Sequence, residues 1–67
     1  MIRWRVADFL AARGWTAYRF AEEAGIPRSL AYRLARPDPV QRIDAGTLVM
    51  LCRLFDATPG DLLVYEP

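Results

Sequence analysis

Arg28, Arg33 and Arg36 fall inside "GIPRSLAYRLAR", residues 25 to 36, and Arg42 follows a proline-broken stretch. A guanidinium is a planar, permanently charged fork of N–H donors. It can hold two oxygens of a phosphate, or both acceptors on one edge of guanine, where an ammonium acts as a point charge. All nine basic residues of the chain are arginine. The four between positions 28 and 42 meet one acid, Asp38, for a local balance of +3. The other five share the chain with seven acids, a balance of −2, so a total of only +1 conceals a polarised distribution. Polarity of this kind turns a protein towards a polyanion without giving it a high isoelectric point. The bland counterpart is a solvated face, since exposed arginine tolerates water well.

Other chemistry is poorly supplied. There is no histidine for a proton shuttle or a metal site, and the single cysteine, Cys52, has no disulfide partner within the chain. Cys52 falls on the apolar side of a helix, where a thiol behaves as a small hydrophobe. Glu22 and Glu23 are adjacent on a helix and point about 100° apart, which does not make a catalytic dyad. The chain therefore reads as a non-enzyme with no cofactor and no metal. No secretory or spanning segment opens it, so the expected compartment is the cytoplasm. At 67 residues, 54% of them hydrophobic, it reads as one globular domain near the size at which a core barely offsets conformational entropy. A partner chain is a reasonable expectation at that size.

The elements that must position the arginines follow from caps and breakers. A first helix is expected over Val6 to Ala12, ending at Gly14, because Ile2, Val6, Phe9 and Leu10 fall at i, i+4, i+7 and i+8 on one side. Before it, Ile2, Trp4 and Val6 alternate with Arg3 and Arg5, the period of a strand and not of a helix, so Met1 to Arg5 is open to either element. Thr16 caps a second helix, Ala17 to Ala24, and Gly25 stops it by entering left-handed space cheaply. Pro27 suits a first turn, so a third helix starts at Pro27 or Arg28 and runs to Ala35, anchored by Ala31 and Leu34. "RPDPVQR" is a loop. Asp44 caps a fourth helix, Ala45 to Phe55, and Thr58, Pro59 and Asp61 open a short fifth to Leu63. On the fourth, Leu48, Leu51, Cys52 and Phe55 share a face while Val49, Met50 and Arg53 point away, so apolar residues occupy a side expected to meet water.

Two short helices, with Ala21 small enough for a close crossing, Gly25 at the turn, Ile26 plugging it and Leu34 anchoring the second, make a helix-turn-helix pattern. Residues 16 to 36, "TAYRFAEEAGIPRSLAYRLAR", resemble the motif of the Cro/C1-type (lambda repressor-like) helix-turn-helix family. "RIDAGTLVMLCRLFDATPGDLL" resembles that family's fourth and fifth helices, so the likeness covers about nine-tenths of the chain. It implies an all-α, compact five-helix domain, to which the residues themselves add short terminal strands. It also implies sequence-specific binding of double-stranded DNA, with the third helix in the major groove. By position, Arg28, Ser29, Tyr32 and Arg33 would face base edges, and Thr16, Ala17, Arg36 and Arg42 would meet phosphates. Ala17 departs from the glutamine often found there, leaving only a backbone N–H. Leu30 and Ala31 replace a small hydroxyl residue and a β-branched one; a thymine methyl, a sugar or a neighbouring protein would each suit Leu30.

The resemblance further implies a homodimeric regulator, a repressor by occupancy of a two-fold operator, with half-sites about 34 to 36 Å apart. The termini are expected to pair as antiparallel strands, Met1 to Arg5 with Leu63 to Glu66, and Trp4, Val49, Met50 and Tyr65 to contribute to the subunit contact. The family also includes antitoxins, so a toxin is a second kind of partner. A different class, a protein-interaction module that keeps the fold without DNA binding, is favoured modestly by the low net charge and by Ala17.

Overall fold

Alternation at the N-terminus resolves as a strand in the computed structural model, which describes all 67 residues. β1 (Ile2–Trp4) is followed by α1 (Val6–Arg13), α2 (Ala17–Ala24), α3 (Arg28–Ala35), α4 (Ala45–Phe55), α5 (Pro59–Leu62) and β2 (Leu63–Tyr65). α1 runs one residue beyond its expected end. The terminal strands pair antiparallel within the one chain, Ile2 opposite Tyr65, Arg3 opposite Val64 and Trp4 opposite Leu63. The Arg5 N–H donates to the Leu62 carbonyl and the Glu66 N–H to the Met1 carbonyl, both at 2.7 Å. On the outer side of β1 the Val40 N–H donates to the Ile2 carbonyl at 2.7 Å, so the loop after α3 covers that edge.

Nine residues are buried, every one apolar: Val6 and Leu10 from α1, Phe20 and Ala21 from α2, Ala31 and Leu34 from α3, Leu51 and Phe55 from α4, and Leu62 from α5. Each helix therefore contributes to one core, and no polar side chain has been drawn into it. Phe55 lies at its aromatic centre, with ring centroids 5.1 Å from Phe9, 6.2 Å from Trp15 and 5.8 Å from Phe20. Arg13 closes this cluster from outside, its guanidinium 4.9 Å from the Phe55 centroid and donating to the carbonyls of Phe9 and Phe55.

Contrary to the expectation for α4, Met50 does not point to water; it is half-buried against the core, as are Leu48, Cys52 and Leu54. The stripe of α4 that meets the other helices is wider than a single a/d seam, because neighbours pack on both flanks of Leu51 and Phe55. Val49 alone among the apolar side chains of α4 beyond its first turn stays exposed, at 47%.

The corner between α2 and α3 is a helix stop with two backbone bonds. Gly25 has φ +68°, its N–H donates to the Glu22 carbonyl at 3.3 Å, and the Ile26 N–H reaches the Ala21 carbonyl at 3.1 Å. A Cβ on Gly25 would meet nothing within 4 Å, so replacing it costs backbone conformation alone. Gly25→Ala is expected to lower stability in urea unfolding by about 1 to 2 kcal/mol, and Gly25→Asn by less, because asparagine tolerates left-handed backbone. An asparagine variant weaker than the alanine one would refute this account of the turn.

At α5 a capping box is complete: the Asp61 N–H donates to Thr58 Oγ1 at 3.3 Å, and the Thr58 N–H donates to Asp61 Oδ2 at 3.0 Å. Chiefly that backbone bond from Thr58, then its side chain, holds the Asp61 carboxyl below the usual carboxylate range. A carboxyl depressed on folding adds stability above its unfolded pKa and loses it as pH falls through the folded one. The thermal-midpoint gap between the native chain and Asp61→Ala should be steady above about pH 5 and narrow below about pH 4. A gap that widens with acid would show that the box does not act through the charged carboxylate.

Candidate nucleic-acid interface

α3 divides cleanly by burial. Ala31 and Leu34 face the core, Leu30 packs half-buried against it, and Arg28, Ser29, Tyr32 and Arg33 are exposed on the outer side. The four residues expected to face bases therefore share one open flank, which a helix achieves when positions 28, 29, 32 and 33 are spaced as i, i+1, i+4 and i+5. Leu30 rests on the chain's own core, next to a cleft of about 440 Å³ between α3, the following loop and Trp4. Arg33 and Arg42 line this cleft together, so the loop returns Arg42 to the side of α3 despite the prolines between them.

The distribution of ion pairs separates two populations of arginine. Arg3 pairs with Glu66, Arg5 with Asp8 at 3.6 Å and Arg19 with Glu23 at 2.9 Å. Arg13 is satisfied by carbonyls and aromatic faces. Arg28, Arg33, Arg36 and Arg42 have no carboxylate within 4.0 Å, although Asp38 and Asp44 line the same cleft as Arg33 and Arg42. Arg53 is unpaired too, but it sits in the last turn of α4, where a cation meets the negative end of the helix dipole. The same explanation reaches Arg33 at the end of α3. It fails for Arg28, which begins that helix, and for Arg42, which lies in a loop.

At the start of α2, the Thr16 hydroxyl accepts from the Arg19 N–H at 3.1 Å. The cap leaves the first backbone N–H groups of α2, including that of Ala17, without helical partners. A helix N-terminus of this kind favours an anion. The Ala17 methyl itself is half-buried and offers no polar atom.

Tyr18 joins Arg28 on this face without any announcement in the sequence. Its ring lies beneath the guanidinium of Arg28, 4.4 Å from centroid to the guanidinium carbon, across the corner between the two helices. No local signal marks this contact, since the two residues are ten positions apart and belong to different helices. Of the residues expected at a subunit contact, Trp4 and Met50 pack against their own core, while Val49 and Tyr65 are exposed. No helix is long and apolar enough to cross a membrane.

Arrayed cations on one helix flank, an adjacent basic loop and a free helix N-terminus suit binding to a polyanion with regular phosphate spacing. Among families of known proteins, the Cro/C1-type HTH DNA-binding domain matches residues 5–67. No curated protein and no solved structure matches the chain. The five helices, the glycine corner before α3 and a match spanning all but the first four residues together show that the chain belongs to the Cro/C1-type helix-turn-helix DNA-binding domain family.

Proposed function

We propose that this chain is a single-domain, cytoplasmic, sequence-specific transcriptional regulator that represses by occupying a palindromic operator as a homodimer. The observation that carries the DNA-binding face is the set of arginines at 28, 33, 36 and 42 without carboxylate partners, beside three others that have them. In this reading α3 enters the major groove. Arg28 and Arg33 each present a fork to guanine O6 and N7, and Ser29 and Tyr32 approach neighbouring base edges. Thr16, the Ala17 N–H, Arg36 and Arg42 meet phosphates and fix the register.

Support for a second copy comes from β2. The Leu63 N–H is taken by the Pro59 carbonyl, but the Leu63 carbonyl and both backbone groups of Tyr65 point away from β1, as the register requires. Two β2 strands running antiparallel across Val64 would set the Tyr65 N–H of each copy opposite the Leu63 carbonyl of the other. This edge carries no charge, proline or bulge of the kinds that discourage strand addition, and Tyr65 is 69% exposed beside it.

Binding to duplex DNA should weaken steeply as salt is raised, whereas a domain that kept the fold only for apolar protein contacts would respond little. Measured on a duplex selected by the purified protein, Arg42→Ala is expected to weaken all sequences alike and flatten the salt slope by about one unit. Arg28→Ala or Arg33→Ala should relax preference at one base pair by about 1 to 3 kcal/mol. Equal, sequence-blind losses from all three would contradict this division of roles. For the dimer, light scattering at micromolar concentration should return twice 7.6 kDa. Tyr65→Pro, which removes an N–H not used inside the chain, should return the monomer with helicity intact. A native chain that is monomeric throughout would exclude the β2 contact.

A further inference from the structure

Arg28 stands where the fold gives a cation no ionic support. It is the first residue of α3, that first turn contains no acid, and no carboxylate lies within 4.0 Å. The positive end of the helix dipole opposes it as well. What does hold it is an aromatic face from another helix. At 4.4 Å its guanidinium carbon is closer to the Tyr18 ring centroid than any other arginine of the chain is to a ring. Tyr18 is the second residue of α2 and is 43% exposed, so the contact bridges the corner on the outside of the molecule.

The geometry matters because the guanidinium has two kinds of surface. A ring attracts its face, while the N–H donors radiate in its plane. A guanidinium laid face-on against a ring is restrained while its hydrogen-bonding edge stays free. Ala17, the residue before Tyr18, has only a methyl group and cannot brace a side chain on α3 through a polar contact. We propose that Tyr18 is a positioning residue for base recognition, its ring pre-orienting the Arg28 fork towards guanine so that less side-chain freedom is lost on binding. The proposal rests on the reading of α3 as the base-contacting helix.

The test compares Tyr18→Phe, which keeps the ring, with Tyr18→Leu, which removes it; Tyr18 is exposed, so thermal midpoints should hardly move. In the free protein the Arg28 Nε–H resonance should carry a ring-current shift that survives in Tyr18→Phe and disappears in Tyr18→Leu. On the duplex selected by the native protein, Tyr18→Leu should reduce guanine preference about two- to fivefold at the base pair that Arg28→Ala relaxes, with no change in salt slope. Tyr18→Phe should retain the native preference, and Tyr18→Leu should add nothing further in an Arg28→Ala background. An absent ring-current shift, additive losses in the double variant, or equal sequence-blind losses from both Tyr18 variants would each overturn the role of Tyr18 while leaving DNA binding in place. Failure of the native protein to enrich any duplex would overturn the DNA reading and this role together.

Discussion

The packing of three aromatic rings around Phe55 is the constraint on which the remaining architecture depends. Phe9 comes from α1, Trp15 from the junction before α2, and Phe20 from α2, so one side chain of α4 ties together the three segments that precede the corner. A domain with only nine buried residues has little redundancy. Truncating a buried phenylalanine typically costs about 3 to 5 kcal/mol, comparable with the whole stability expected of so small a core. α3 makes its own contribution through Ala31 and Leu34, yet it reaches the rest of the molecule mainly by lying against α2. The outward-facing helix is thus held by a helix that is itself held by Phe55.

Charge is arranged with the same economy. Arginines near the N-terminus and along α1 and α2 are occupied by carboxylates, carbonyls or rings, so they brace the scaffold. Those on α3 and its following loop lack acidic partners. Because exposed ion pairs contribute little to stability, leaving these cations unpaired sacrifices little, while pairing them would have masked the groups available to an anion. The near-neutral total charge and the local excess are compatible for this reason.

How much of this was legible in the chain depends on the range of each interaction. Thr16, Asp44 and the Thr58–Asp61 box announce helix starts through bonds spanning three residues, and all three form as the residue types require. Gly25 and Gly14 mark stops for an equally local reason, the cost of positive φ to other residues. The alternation of Ile2 and Trp4 with arginines has the period of a strand, but Ile2 also continues the apolar face of α1, and only the pairing with β2 decides between them. Contacts that join distant segments were not legible. A helical wheel assigns Met50 outward because it assumes one partner surface, whereas neighbours flank α4 on two sides. The Tyr18–Arg28 stack, the Arg13 cap on the aromatic cluster and the return of Arg42 to α3 all depend on how elements are folded together.

The strand of three residues at the N-terminus does more than close a small sheet. Its outer edge is stitched to the loop after α3 by the Val40–Ile2 hydrogen bond, and the Arg3 guanidinium donates to the Pro37 carbonyl, 34 residues away in sequence. A segment rich in proline and lacking regular structure would otherwise sample many paths across the surface. Moored in this way, it behaves as a bracket with a fixed throw. Any reach of Arg42 beyond the protein's outline begins from a hinge point set by the opening residues of the chain.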